Sequence, residues 1–156
     1  MKAKVDSKQE KPTIEGLVLT KLKQIAHPKG DILHVLKKNE NTFSEFGEAY
    51  FSFVKKNKIK AWKRHFKMTL NLSVPIGEVK FVLYDKRIGS KTFNNFFEIY
   101  LSRNNYYRLT IPPNIWFGFK GLKDENIILN ISNILHDPQE QENKLHESCE
   151  INYNWN

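Results

Sequence analysis

The stretch Ile59-Lys-Ala-Trp-Lys-Arg-His-Phe-Lys-Met-Thr-Leu-Asn-Leu-Ser-Val74, IKAWKRHFKMTLNLSV over 59–74, decides the fold class. It alternates with a period of two, the signature of a half-buried strand. One side carries Lys63, His65, Lys67, Thr69, Asn71 and Ser73. The other carries Trp62, Phe66, Met68, Leu70, Leu72 and Val74. The polar side either faces water or lines a cavity, and the pattern alone leaves both open. Read as one continuous strand, the segment predicts a β protein.

Working outward, similar short stretches recur. LVLTKLK (17–23), FGEAYFSFV (46–54), VKFVLYD (79–85), FFEIYL (96–101), YYRLTI (106–111), IWFGF (115–119) and NIILNIS (126–132) are aromatic and β-branched, as strands prefer. HPKGD (27–31), VPIGEV (74–79), SRNN (102–105) and PPN (112–114) punctuate them with turn residues. ILHVLKK (32–38) reads as extended chain rather than a helical turn. Many short strands without a long amphipathic helix predict an all-β sandwich or barrel. One jelly-roll domain is expected over 14–138, with a loose polar arm at 1–13 and a polar tail at 139–156.

The 156 residues are 40% hydrophobic and 13% aromatic, enough for a packed core. The single cysteine, Cys149, excludes an internal disulfide, and the charged opening MKAKVDSKQEKP has no apolar leader segment. A reducing cytoplasm is the expected compartment, and no apolar run predicts a membrane span. The formal net charge of +8 favours anionic partners without choosing among them.

Lys55, Lys56, Lys58, Lys60, Lys63, Arg64 and Lys67 are interleaved with Trp62 and Phe66. Basic groups beside aromatics can bind single strands. However, Trp62 and Phe66 share parity with Met68 and Leu70, which predicts packing, so no nucleic-acid partner is expected. His65 sits in mid-strand among cations that would lower its pKa. A neutral imidazole is what a general base requires. The other histidines, His27, His34, His136 and His146, are scattered, and no His or Cys pair has ligand spacing near His65. No metal or other cofactor is expected.

KAWKRHFKMT (60–69), GEVKFVLYDKRIGSKTF (77–93) and IPPNIWFGF (111–119) together resemble the dTDP-4-dehydrorhamnose 3,5-epimerase family. The likeness runs from about Ile14 to Pro138 and is closest to a short branch associated with surface-polysaccharide synthesis. It implies a cupin-like jelly roll without metal, a homodimer, and a nucleotide-diphosphate 4-keto-6-deoxy-sugar substrate. In such a family a histidine removes the proton beside the ketone, cations stabilise the enolate, and a tyrosine returns a proton from the opposite face. By resemblance the base falls on His65, a diphosphate contact on Lys29, and a polar substrate contact on Ser52. Lys63 and Lys67 are further candidates for holding phosphate or enolate charge. The tyrosine position falls on Asn130, an expected substrate contact that cannot supply a proton. Trp62 and Phe117 replace the family's Arg and His. The acid is then expected from Tyr50, Tyr84 or water, and the segment that would hold an Asp behind the base is expected to be missing. Asp85 and Asp124 read as turn residues. Two functions remain at this point: an epimerase-like isomerase, or a non-catalytic nucleotide-sugar-binding protein on the same fold.

Overall fold

The computed structural model describes residues 11–156; most of the expected N-terminal arm lies outside the described residues. Twelve strands account for nearly all regular structure: β1 (Val18–Lys21), β2 (Gln24–Ile25), β3 (Ile32–Leu33), β4 (Glu48–Phe53), β5 (Ile59–His65), β6 (Leu70–Ile76), β7 (Glu78–Asp85), β8 (Phe96–Ser102), β9 (Tyr107–Ile111), β10 (Ile115–Gly121), β11 (Ile127–Ser132) and β12 (Gln141–Asn143). One 3-10 turn, Pro138–Glu140, precedes β12. Two five-stranded sheets form the sandwich, in the orders β1-β9-β6-β11-β4 and β12-β5-β10-β7-β8, and β2 pairs with β3 alone. All of these ladders are antiparallel. This is the expected jelly roll.

The core lies between the sheets. Val74, Val79, Phe81, Leu83, Leu101 and Leu109 are fully buried there. A second apolar cluster covers the outer face of the sheet that carries β5, β10 and β7. It joins Trp62, Val82, Tyr84 and Trp116 to Ile151 and Trp155 of the C-terminal segment. Residues 139–156, set apart as a tail in the sequence reading, are therefore docked: β12 extends a sheet, and Trp155 packs 5.2 Å from the Trp62 ring. Gly118 permits that docking, because a Cβ there would meet Ala61 Cβ at 2.3 Å and the Trp155 ring at 3.0 Å.

The strand expected over 59–74 is two strands in different sheets. The chain leaves the second sheet at His65 and enters the first at Leu70. Between them the backbone abandons ladder pairing: the Met68 and Lys67 amides donate to the Glu140 carboxylate, and Thr69 donates to Asn133 Oδ1 at 2.8 Å. The crossing inverts the facing. In β5, Lys63 and His65 point into the sandwich, whereas in β6 it is Leu72 that reaches the same cavity. Leu70, Leu72 and Val74 join the core. Asn71 instead receives the Thr110 hydroxyl. The polar side thus lines the interior only in its first half.

Gly77 makes the β6–β7 turn with φ +81°, a conformation that L residues with a Cβ rarely adopt. The motif around Asp85 organises the β7–β8 loop. Asp85 is fully buried and accepts from the Arg87 amide and guanidinium, Ser90 Oγ and Thr92 Oγ1. Burial pushes its carboxyl up, but these donors win and hold it well below the usual carboxylate range. Its part is structural, in line with the reading of Asp85 as a turn residue.

Candidate active site

A cavity of about 400 Å³ opens between the two sheets, a size that suits a small-molecule ligand. One wall comes from β5 and β10, with Lys63, His65 and Phe117 facing inward. The opposite wall comes from β4 and β11, with Tyr50, Ser52 and Asn130. Strand alternation explains the grouping: Tyr50 lies opposite Asn130 and Ser52 opposite Ile128 in the β4–β11 ladder, so all four share the inner face.

His65 is 7% exposed, and Glu140 behind it 6%. His65 Nδ1 lies 2.8 Å from Glu140 Oε2. Glu140 Oε1 accepts from the Met68 amide at 2.8 Å and from the Lys67 amide. Burial alone would raise the Glu140 pKa, but the Lys67 amide, His65 and the Met68 amide together lower it. The group is a carboxylate, so Nδ1 must be the donor. The same pair fixes the tautomer: the proton sits on Nδ1 and the lone pair on Nε2. Burial lowers the His65 pKa, opposed by Glu140 and assisted by Lys63 and His136. The imidazole is neutral at physiological pH, ready to accept a proton. Phe117 lies nearly parallel to it, ring centroids 6.1 Å apart.

Glu140 is the member of the candidate site that the sequence reading missed. The segment expected to be absent is supplied by a different route, through the turn before β12. Asp137 caps that turn by accepting from the Gln139 amide at 2.9 Å, and Pro138 fits its first position. β12 then pairs with β5, Gln141 opposite His65. The Asp-Pro pair is the local signal for the turn, but nothing local indicates a partner 75 positions away.

The other sequence-predicted residues separate into two groups. Lys63, Ser52 and Asn130 meet His65 in the cavity. Lys63 is half-buried, which lowers its pKa, and forms no ion pair among the described residues. Asn130 Nδ2 donates to the Tyr50 hydroxyl at 2.7 Å, and its Oδ1 is buried without a hydrogen-bond partner among the described residues. Lys29 and Lys67 are not brought there. Lys29 lies on the exposed turn between β2 and β3. The Lys67 side chain is exposed beyond the end of β5, and it is its backbone amide that serves the site. Lys60, at the cavity wall, donates to the Phe53 carbonyl at 2.6 Å. Tyr84 belongs to the opposite face of its sheet and donates to Asn94.

Of the two aromatics in the basic run expected to pack, Trp62 is buried but Phe66 is exposed, because it lies past the end of β5 with Arg64 over its ring. Trp62 is 1% exposed, Arg64 pairs with Glu142 and lies over the Trp116 ring, and Lys56 pairs with Asp124. Among the described residues no cluster of His, Cys, Asp and Glu could hold a metal ion, and no helix is long and apolar enough to cross a membrane.

A carboxylate-held histidine and a half-buried cation stand side by side on one wall of a jelly-roll cavity, an arrangement whose chemistry suits taking a proton from carbon beside a carbonyl. The chain belongs to the dTDP-4-dehydrorhamnose 3,5-epimerase family, whose profile matches residues 11–156, and it is an epimerase-like enzyme. A dTDP sugar isomerase from Desulfovibrio desulfuricans G20 is 39% identical, with 92% of each chain covered and a TM-score of 0.89. The spore coat polysaccharide biosynthesis protein SpsL of Bacillus subtilis is 27% identical over 146 residues, covering 92% of this chain and 97% of SpsL. The probable low-salt glycan biosynthesis epimerase Agl13 of Haloferax volcanii is 26% identical over 129 residues, covering 81% of this chain and 83% of Agl13.

Proposed function

We propose that this protein epimerises a nucleotide-diphosphate-linked 4-keto-6-deoxy sugar at a carbon adjacent to the ketone, in the synthesis of a surface polysaccharide. The observation that carries the reading is the buried His65–Glu140 pair opening onto the cavity. The ketone acidifies its neighbouring carbons. His65 Nε2 takes the proton, and Glu140 stabilises the imidazolium that forms. Lys63 lies two residues away on the same strand face, where its charge offsets the developing enolate oxygen. Ser52 and the free Asn130 Oδ1 hold sugar hydroxyls. The kinship with SpsL and Agl13, named for spore coat polysaccharide and glycan synthesis, supports the pathway context.

The reading includes a homodimer. On the outer face of the first sheet, Phe51 is 61% and Phe53 59% exposed. They stand opposite Leu129 and Ile127 in the ladder, beside the exposed Ile76. An apolar face of this kind on an edge strand calls for a cover, and a second copy supplies one of matching chemistry. Lys29 and Lys67, outside the cavity of their own chain, contact a nucleotide only in such an assembly.

The test is solvent exchange. The protein is incubated in deuterium oxide with dTDP-, GDP- and CDP-linked 4-keto-6-deoxy sugars, and C3 and C5 are followed by NMR. Deuterium entering either carbon, and absent with folded His65→Asn, is the expected result. No exchange from a protein that binds the nucleotide sugar overturns the catalytic reading. Sedimentation of the wild type against Phe51→Glu/Phe53→Glu checks the dimer.

A further inference from the structure

Inversion at carbon needs two groups on opposite faces, and the cavity has two walls. His65 and Lys63 occupy one wall, on the same face of β5. Few side chains reach the cavity with a proton to give from elsewhere. Lys144 is held by Glu142 and Glu150, and Lys60 by the Phe53 carbonyl. The Ser52 hydroxyl is far too weak an acid. Tyr84 is on the far side of its sheet. Asn130 has no proton to give and take. The phenol of Tyr50, on β4, is what remains on the facing wall.

The Tyr50–Asn130 bond has a direction. Asn130 Nδ2 donates and the Tyr50 oxygen accepts, at 2.7 Å. The hydroxyl hydrogen of Tyr50 is therefore not spent on Asn130 and can turn into the cavity. The same amide then donates to the phenolate that a departing proton leaves behind.

We propose that Tyr50 is the acid, giving its proton to the face of the substrate carbon opposite the one His65 deprotonates, with Asn130 as its positioning residue. This rests on the proposed epimerase function. The C–H bond breaks toward His65 Nε2, and its electron pair moves into the enolate. The enolate collapses, and carbon takes the Tyr50 hydroxyl proton on the other face. Imidazolium and phenolate remain, and one proton passes from the first to solvent while solvent returns one to the second. No oxidant or cofactor enters the balance. Burial raises the Tyr50 pKa against the pull of Asn130, which keeps the acid loaded at neutral pH.

Tyr50→Phe separates this from a structural part. In deuterium oxide with dTDP-4-keto-6-deoxyglucose, the variant is expected to keep deuterium exchange with retained configuration, because His65 still removes and returns protons on its own face. Inverted product is expected to fall at least about 100-fold, in the range for loss of a general acid. Inversion within threefold of wild type overturns the assignment. Parallel loss of exchange and inversion, with nucleotide-sugar binding intact, also overturns it. If Tyr50→Phe does not fold, 3-fluorotyrosine at position 50 decides. A more acidic phenol must move the basic limb of the inversion rate to lower pH, and an unmoved limb refutes the role. If the wild type itself fails to exchange, the His65 reading fails and the Tyr50 assignment falls with it; if the wild type inverts and Tyr50→Phe also inverts, only the Tyr50 assignment falls.

Discussion

Glu140→Gln is the most informative single change behind the proposed base. The carboxylate has two separate duties. Oε1 accepts from the Lys67 and Met68 amides, and Oε2 faces His65 Nδ1. Glutamine can keep the first duty, with its carbonyl toward the two amides. Its NH₂ then faces Nδ1, which must accept rather than donate. The proton moves to Nε2, the nitrogen needed as base, and no carboxylate is left to stabilise the imidazolium. Opposite charges centred about 4 Å apart interact by about 4 kcal/mol at an effective dielectric of 20. At about 1.4 kcal/mol per decade, the exchange rate should fall about 10³-fold. Because both amides stay satisfied, the melting temperature should move little. Glu140→Ala, by contrast, leaves the buried Met68 amide and the part-buried Lys67 amide bare and should cost about 1–3 kcal/mol for the buried donor alone. The assay is deuterium incorporation under saturating nucleotide sugar, paired with ¹⁵N NMR of the imidazole to read the tautomer. A Glu140→Gln rate within threefold of wild type, or a rate loss with Nδ1 still protonated, would refute the reasoning.

Three further outcomes are expected. His65 carries a pKa lowered by burial, so the acid limb of kcat/KM should lie below the ordinary histidine value of about 6.5. The unfolded chain then binds the proton more readily, so this contribution to stability is complete above about 6.5 and is lost as pH falls toward the lowered value; an NMR titration at or above the ordinary value refutes both. Asp85→Ala strands the Arg87 guanidinium and two hydroxyls and should cost about 3–5 kcal/mol. Because the Asp85 pKa is depressed, its contribution is present above about 3.9 and fades as pH falls further, which chemical denaturation of wild type and variant at pH 7 and pH 3 will show as a narrowing gap. Trp155→Ala empties the pocket against Trp62 and Tyr153 and should cost about 3–5 kcal/mol, read as a melting temperature about 10 °C lower at 2–4 °C per kcal/mol.

Particular residues show how much of this was legible in the sequence. The strands from Glu78 to Ser132 were legible as aromatic and β-branched runs with turn residues between them; β8 and β11 alternate, whereas β7 and β10 are apolar on both faces because the C-terminal segment covers the outer one. The segment 59–74 misleads for a physical reason. Its polar-apolar rhythm continues across the sheet crossing at 66–69, while the direction of the core reverses. Trp62 hides the reversal further, since its outward face is buried under the C-terminal segment. His65, Lys63, Ser52 and Asn130 could be gathered into one cavity by register and resemblance. Glu140 could not, because its role depends on a contact 75 positions distant and on backbone amides that no side-chain pattern reports. The GEVKFVLYDKRIGSKTF motif, which carried much of the family likeness, owes its Asp85, Arg87, Ser90 and Thr92 to loop architecture rather than to chemistry.

The two walls of the cavity are built with different stiffness. β5 and β10 are interior strands of their sheet, flanked by β12 and β7 and covered on both faces, by the core on one side and by Trp62, Trp116 and Trp155 on the other. β4 is an edge strand whose outward residues are bare within one chain. The group proposed to take a proton therefore rests on a rigid bed, and the group proposed to deliver one rides on a compliant rim. A keto sugar flattens as its enolate forms and puckers again as it is reprotonated. On the proposed roles, a fixed base with a yielding acid would let one cavity follow that change of ring shape, and a second copy covering β4, as proposed, would set how far the rim can travel.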